Sequence, residues 1–157
     1  MKTLNHIGLN QEKTQELTRD LNNLLANYSI FYQNIRGFHW KIKGRNFFEL
    51  HIKFEELYND LFVKIDDVAE RILTLGAAPE HNFTKYVSKS NINEFTQEFD
   101  GEIAVKEIVK SFKVLITMQR EILEEASQIN DEGTTALMSD YIREQEKLVW
   151  MYQAFLA

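Results

Sequence analysis

The chain has 157 residues, 44% hydrophobic and 27% charged, with no cysteine and a formal net charge of −6. That length suits one domain with a real core, and the lack of cysteine excludes disulfide frameworks, thiolate metal sites and thiol catalysis, so any metal must use oxygen and nitrogen ligands. The acidic balance opposes a bare subunit coating nucleic acid or anionic membrane and favours small cations as partners.

One proline and six glycines are few breakers, which favours long helices and an all-α fold. No run of about 18 apolar residues occurs, and Met1 to Asn10 carries no targeting pattern, so a cytoplasmic protein without a membrane span is expected. Asn10 is a candidate N-cap, and from it Leu17, Leu21, Leu24, Tyr28, Phe31, Ile35 and Phe38 recur at helical steps. A turn at Lys43-Gly44-Arg45-Asn46 precedes a second stripe from Phe47 through Leu50, Phe54, Leu57, Leu61, Val68 and Ile72, which stops near Gly76. Asp100-Gly101 opens a third helix through Ile108, Phe112, Leu115 and Ile122, and Asp131 opens a fourth through Leu137, Tyr141, Leu148 and Phe155.

Gly76 to Gly101 leaves roughly 25 residues between helices two and three, whereas the other links are short. A helix of about 28 residues is roughly 42 Å long, and about 13 extended residues return the chain to its start. Helices two and three can therefore run parallel, as in a ferritin-like four-helix bundle with one long crossover. Within the crossover, Asn91-Ile92-Asn93-Glu94 has capping-box spacing and is expected to open a short extra helix.

The familiar di-iron bundle uses Glu-x-x-His on two helices. Here Thr3, Arg36, Phe48 and Ala78 stand three residues before the four histidines, so that internal centre is excluded. His39, late in helix one, and His51, one turn into helix two, meet across an antiparallel hairpin; they either share a metal or serve as hydrogen-bonded structural histidines. Asp66 and Glu70 project from one face of helix two, as oxygen ligands or as part of a solvated face. His51 and Asp66 are 15 residues apart, or roughly 22 Å along a straight helix, so one subunit cannot unite the pairs. Two copies of helix two crossing antiparallel near Asn59 and Asp60 would do so, giving a nitrogen and carboxylate set suited to iron or zinc.

His39-Trp40-Lys41-Ile42-Lys43-Gly44-Arg45-Asn46-Phe47, Leu50-His51, Asp66-Asp67-Val68-Ala69-Glu70-Arg71-Ile72 and Leu75-Gly76 closely resemble the signature of the Dps miniferritins, and the likeness extends over nearly the whole chain. The resemblance implies a hollow shell of twelve subunits that oxidises Fe(II), preferably with hydrogen peroxide rather than dioxygen, and stores ferric mineral. It implies ferroxidase sites at two-fold interfaces, with His39 and His51 from one chain and Asp66 and Glu70 from its neighbour. Glu55 is a candidate helper for a second iron, Glu56 a candidate for mineral nucleation, and Trp40 either packs an interface or accepts a stray oxidising equivalent. Acidic three-fold pores are also implied, with Asp131, Glu132 and Asp140 as candidates, although capping explains Asp131 equally well. Only Lys2 and Lys13 are basic before Arg19, and twelve subunits sum to about −72, so DNA binding is expected to be weak or absent. The alternative is a DNA-binding or structural shell with an idle, zinc-occupied site.

Overall fold

Three of the four long helices start where a short polar side chain caps them. In the computed structural model, which describes residues 3–157, the elements are α1 (Gln11–Lys41), α2 (Phe47–Thr74), α3 (Phe83–Lys89), α4 (Gly101–Gln128) and α5 (Glu132–Leu156). The side chains of Asn10, Asp100 and Asp131 accept from the backbone N–H of Lys13, Ile103 and Thr134 at 2.9, 2.9 and 3.0 Å. Each satisfies a donor that the first helical turn leaves unpaired. Gly76 ends α2 at φ 93, a left-handed conformation that costs glycine little. Among the described residues the only β pairing is an isolated bridge between Leu4 and Asn10. Lys2, one of the two basic residues before Arg19, lies outside the described residues.

The helices form two hairpins, α1 with α2 and α4 with α5, joined by the long crossover. A Cβ on Gly101 would lie 2.6 Å from Cδ1 of Leu50, so α4 begins beside the start of α2 and the two run parallel. The core is one apolar cluster that includes Leu17, Leu24 and Ile35 of α1, Phe54 and Leu61 of α2 and Ile108 and Leu115 of α4. Phe31 meets Phe112 edge to face at 5.2 Å across α1 and α4. Burial of such side chains contributes roughly 1.5–3 kcal/mol each. No helix among the described residues is long and apolar enough to cross a membrane.

The extra helix exists, but it lies earlier than its sequence signal. It occupies Phe83–Lys89, while Asn91 and Ile92 direct their N–H groups to Oδ1 of buried Asn27 at 2.9 and 3.1 Å. Those donors are spent on α1, so the Asn91-Ile92-Asn93-Glu94 spacing opens no helix. Asn34 does the same two turns on, accepting from Phe95 N and donating to Asn93 O, both at 2.9 Å. Asn22 accepts from Glu80 N at 2.8 Å. Three asparagines of α1 thus anchor the crossover backbone, which would otherwise have unpaired polar groups against the bundle.

Candidate metal centre at the first hairpin

The turn after α1 brings the start of α2 back along its end, and the two histidines face each other there. Their rings stack with centroids 3.8 Å apart and planes 11° from parallel. Nδ1 of His39 lies 2.6 Å from the carbonyl oxygen of His51, and Nδ1 of His51 lies 2.8 Å from the carbonyl oxygen of His39. A carbonyl only accepts, so each Nδ1 carries the proton and donates. In the neutral ring each Nε2 then holds a free lone pair, the tautomer a metal ligand needs. The two sequence readings of this pair meet here: one nitrogen of each ring does structural work, and the other is left open.

Aromatic rings hold the pair in place. Phe47 stacks on His51 at 4.9 Å and 19°, and Tyr58 meets His39 edge-on at 5.3 Å. The sequence places both in the apolar stripe of α2 and gives them no part in the site, although Phe47 stands four before His51 and Tyr58 seven after it, the spacing of one helix face. Trp40 points away into solvent, with the Arg36 guanidinium 4.8 Å over its ring and 5.3 Å over Tyr32.

Asp66 and Glu70 are exposed farther along the continuous α2 helix, on the face that also carries Glu55. The structure brings His39 and His51 together and does not bring either carboxylate to them. Among the described residues no group of three or more His, Asp or Glu side chains converges as a metal site within one chain. The same face exposes Phe48, Phe62 and Leu73 at 79%, 62% and 57%, a row of large apolar side chains that the chain's own fold leaves uncovered. Glu56 lies off this face, paired with Lys53 at 2.9 Å and lining a groove between α2 and α5.

The centre of the bundle is closed. The Tyr28 hydroxyl donates to Gln119, Gln119 Nε2 donates to Gln145 Oε1 at 2.7 Å, and Gln145 Nε2 donates back to the Tyr28 oxygen at 2.6 Å. Burial pushes the Tyr28 phenol well up, so it stays protonated and able to donate. Beside this ring the Lys64 ammonium contacts Asp60 at 2.9 Å and Glu144 at 2.8 Å. Burial alone would lower Lys64, but the hydrogen bonds it donates to both carboxylates, with their charges, outweigh it and raise the group, which remains charged. A fixed cation therefore neutralises the carboxylates that a metal would otherwise attract.

The pore candidates divide. Glu132 is exposed, and Asp140 is exposed and paired with Arg143 at 3.0 Å. Asp131 is not a pore lining: its side chain is 1% exposed, caps α5 and pairs with Arg71 at 2.7 Å. The Arg71 partner was invisible locally, 60 positions earlier in the chain.

Two helical hairpins, one long crossover and a bundle centre closed by its own hydrogen bonds define a ferritin-like protein, with candidate ligands at the first hairpin and on the exposed face of α2. Residues 18–157 match the ferritin-like domain family. The DNA protection during starvation protein of Porphyromonas gingivalis is 38% identical over 98% of this chain and 97% of its own length. DNA protection during starvation protein 2 of Bacillus anthracis is 37% identical over 87% of this chain and 93% of its own. The crystal structure of the Dps protein of Vibrio cholerae O1, described as a member of a broad superfamily of ferritin-like diiron-carboxylate proteins, is 55% identical. It superposes with a TM-score of 0.97, covering 100% of this chain and 99% of that one. The chain belongs to the Dps family of ferritin-like proteins.

Proposed function

We propose that this protein is a ferroxidase and iron store that oxidises Fe(II) at sites shared by two subunits and keeps the ferric product inside a hollow dodecamer. The observation that carries this reading is the reciprocal bonding of His39 and His51. It leaves two parallel imidazoles with free Nε2 atoms and no third ligand gathered around them among the described residues of their own chain. The exposed row of Phe48, Phe62 and Leu73 on α2 supports a second copy packing on that face. An antiparallel crossing near Asn59 and Asp60 would set His39 and His51 against Asp66 and Glu70 of the partner subunit.

The donor set fits the substrate. Two neutral imidazoles hold Fe(II), and two carboxylates favour the harder Fe(III) product. Two Fe(II) ions give one electron each to one hydrogen peroxide, whose O–O bond breaks to give two hydroxide ions; no hydroxyl radical is released. Glu55, one turn after His51, would hold the second iron or its bridging water. Zinc suits the same donors and would occupy the site without turnover. Protection of DNA follows from removing iron and peroxide rather than from coating it, because the subunit carries −6 and like charges repel at long range. A cytoplasmic location fits the cysteine-free sequence.

The reading is tested by loading Fe(II) anaerobically, adding peroxide and following oxidation in the intact protein, His39→Ala and Asp66→Ala. Fast oxidation in the intact protein and slow oxidation in both variants is expected. Equal rates in all three would reject the assigned site, and equally slow rates would favour an idle zinc shell. A mobility-shift assay at physiological salt should give weak or no DNA complexes.

A further inference from the structure

The half of α2 that carries Asp66 and Glu70 is tied to α5 by a polar seam. Lys64 Nζ donates to Glu144 at 2.8 Å, Asp67 accepts from the Tyr141 hydroxyl at 3.3 Å, and Arg71 donates through Nε to Thr134 Oγ1 at 2.9 Å and through Nη2 to Asp131 Oδ1 at 2.7 Å. Lys64, Asp67 and Arg71 are spaced by three and four residues and so share one helix face. Asp66 and Glu70 each stand one residue before a member of this seam, about 100° around the helix. Whatever fixes the rotation of Asp67 and Arg71 also fixes the outward direction of Asp66 and Glu70.

Arg71 is the member of the seam that reaches the first turn of α5. Its partner Asp131 is buried and also accepts from the Thr134 N–H at 3.0 Å and the Thr134 hydroxyl at 2.5 Å. A Cβ on Gly133 would lie 2.8 Å from both terminal guanidinium nitrogens, so a methyl there would push the end of the Arg71 side chain off its place against the first turn of α5. Helix rotation of about 15° would swing a side chain on the α2 surface by about 1.5 Å. A metal constellation tolerates roughly 0.5 Å.

We propose that Arg71, held by Asp131 and Thr134, is a positioning residue that sets the rotation of α2 and thereby aims Asp66 and Glu70 at the partner subunit. This rests on the shared-site reading above. Arg71 touches no substrate; it acts through the helix.

The test is an anaerobic Co(II) titration, followed by visible absorption, of assembled intact protein, Arg71→Met and Gly133→Ala, with Arg143→Met as a control on an exposed pair. Arg71→Met is expected to weaken binding by about 10–100-fold, the usual effect of losing an outer support of a metal ligand. Gly133→Ala, which displaces the guanidinium but keeps its charge, should weaken binding in the same direction, and Arg143→Met should leave it unchanged. Exchange of subunits then localises the defect. Mixing Arg71→Met with His39→Ala should restore tight sites, whereas mixing it with Asp66→Ala should restore none, because both chains are then damaged in the carboxylate half. Intact affinity in Gly133→Ala together with either intact affinity or failed assembly in Arg71→Met would overturn the positioning role, as would recovery with Asp66→Ala. If His39→Ala mixed with Asp66→Ala also fails to recover, the shared site itself is wrong and the positioning role falls with it; recovery there confines any failure to Arg71.

Discussion

The bundle centre and the end of the first hairpin are both polar, and they differ in whether their hydrogen bonds close. At the centre, Tyr28, Gln119 and Gln145 satisfy one another in a ring, and Lys64 neutralises Asp60 and Glu144. At the hairpin end, His39 and His51 use one nitrogen each on a backbone carbonyl and leave the other free. A closed network has no capacity for a ligand and adds only order to the fold. The open pair is anchored firmly enough to hold a fixed direction, and under the proposed function groups of a partner subunit complete it.

Substitutions should separate the two regions sharply. The largest effect is expected at the open pair: His39→Ala should slow peroxide-driven Fe(II) oxidation by more than the roughly 100-fold that loss of an outer support costs, while the thermal midpoint changes little. Tyr28→Phe should do the reverse. It strands the buried amides of Gln119 and Gln145, lowers stability by about 2 kcal/mol in thermal or denaturant unfolding, and leaves the oxidation rate intact. A rate loss in Tyr28→Phe would erase the distinction between the regions.

The smallest expected effect lies in a third place, between α1 and α4. Burial, then a hydrogen bond and charge from Asp20, with the Glu16 charge adding and Lys13 opposing, push Glu125 up to about 7 from its ordinary 4.5. The folded chain thus holds a proton that the unfolded chain releases. That contribution is full below about pH 4.5 and is lost as pH rises through about 7. Glu125→Gln should therefore raise the thermal midpoint at pH 8, by the equivalent of about 1 kcal/mol once solvent screening of this half-buried group is allowed for. At pH 5 it should change little.

What the sequence discloses is what is local. The caps at Asn10, Asp100 and Asp131 act within three residues, and the histidine pair follows from a short turn between two periodic stripes. The short helix lies away from its capping-box spacing because Asn27, far earlier in the chain, claims the Asn91 and Ile92 donors. Asp131 divides in the same way: its capping role is local, while its pairing with Arg71 is not. The stacking of Phe47 on His51 was within reach, since helical spacing alone puts it there. Asp66 could be separated from Asp67 only by its step to Glu70, and the Tyr141 contact that turns Asp67 toward α5 is a matter of packing.

The central claim is that the metal centre belongs to two chains, and exchange of defective subunits tests it most directly. His39→Ala lacks a nitrogen ligand and Asp66→Ala an oxygen ligand, so each assembly alone should be inactive. In a random two-fold mixture, interfaces that pair the two variants contain one site with every ligand intact, and about one quarter of all sites should regain Fe(II) oxidation. Activity that stays at the level of the separate variants after verified exchange would contradict a shared site.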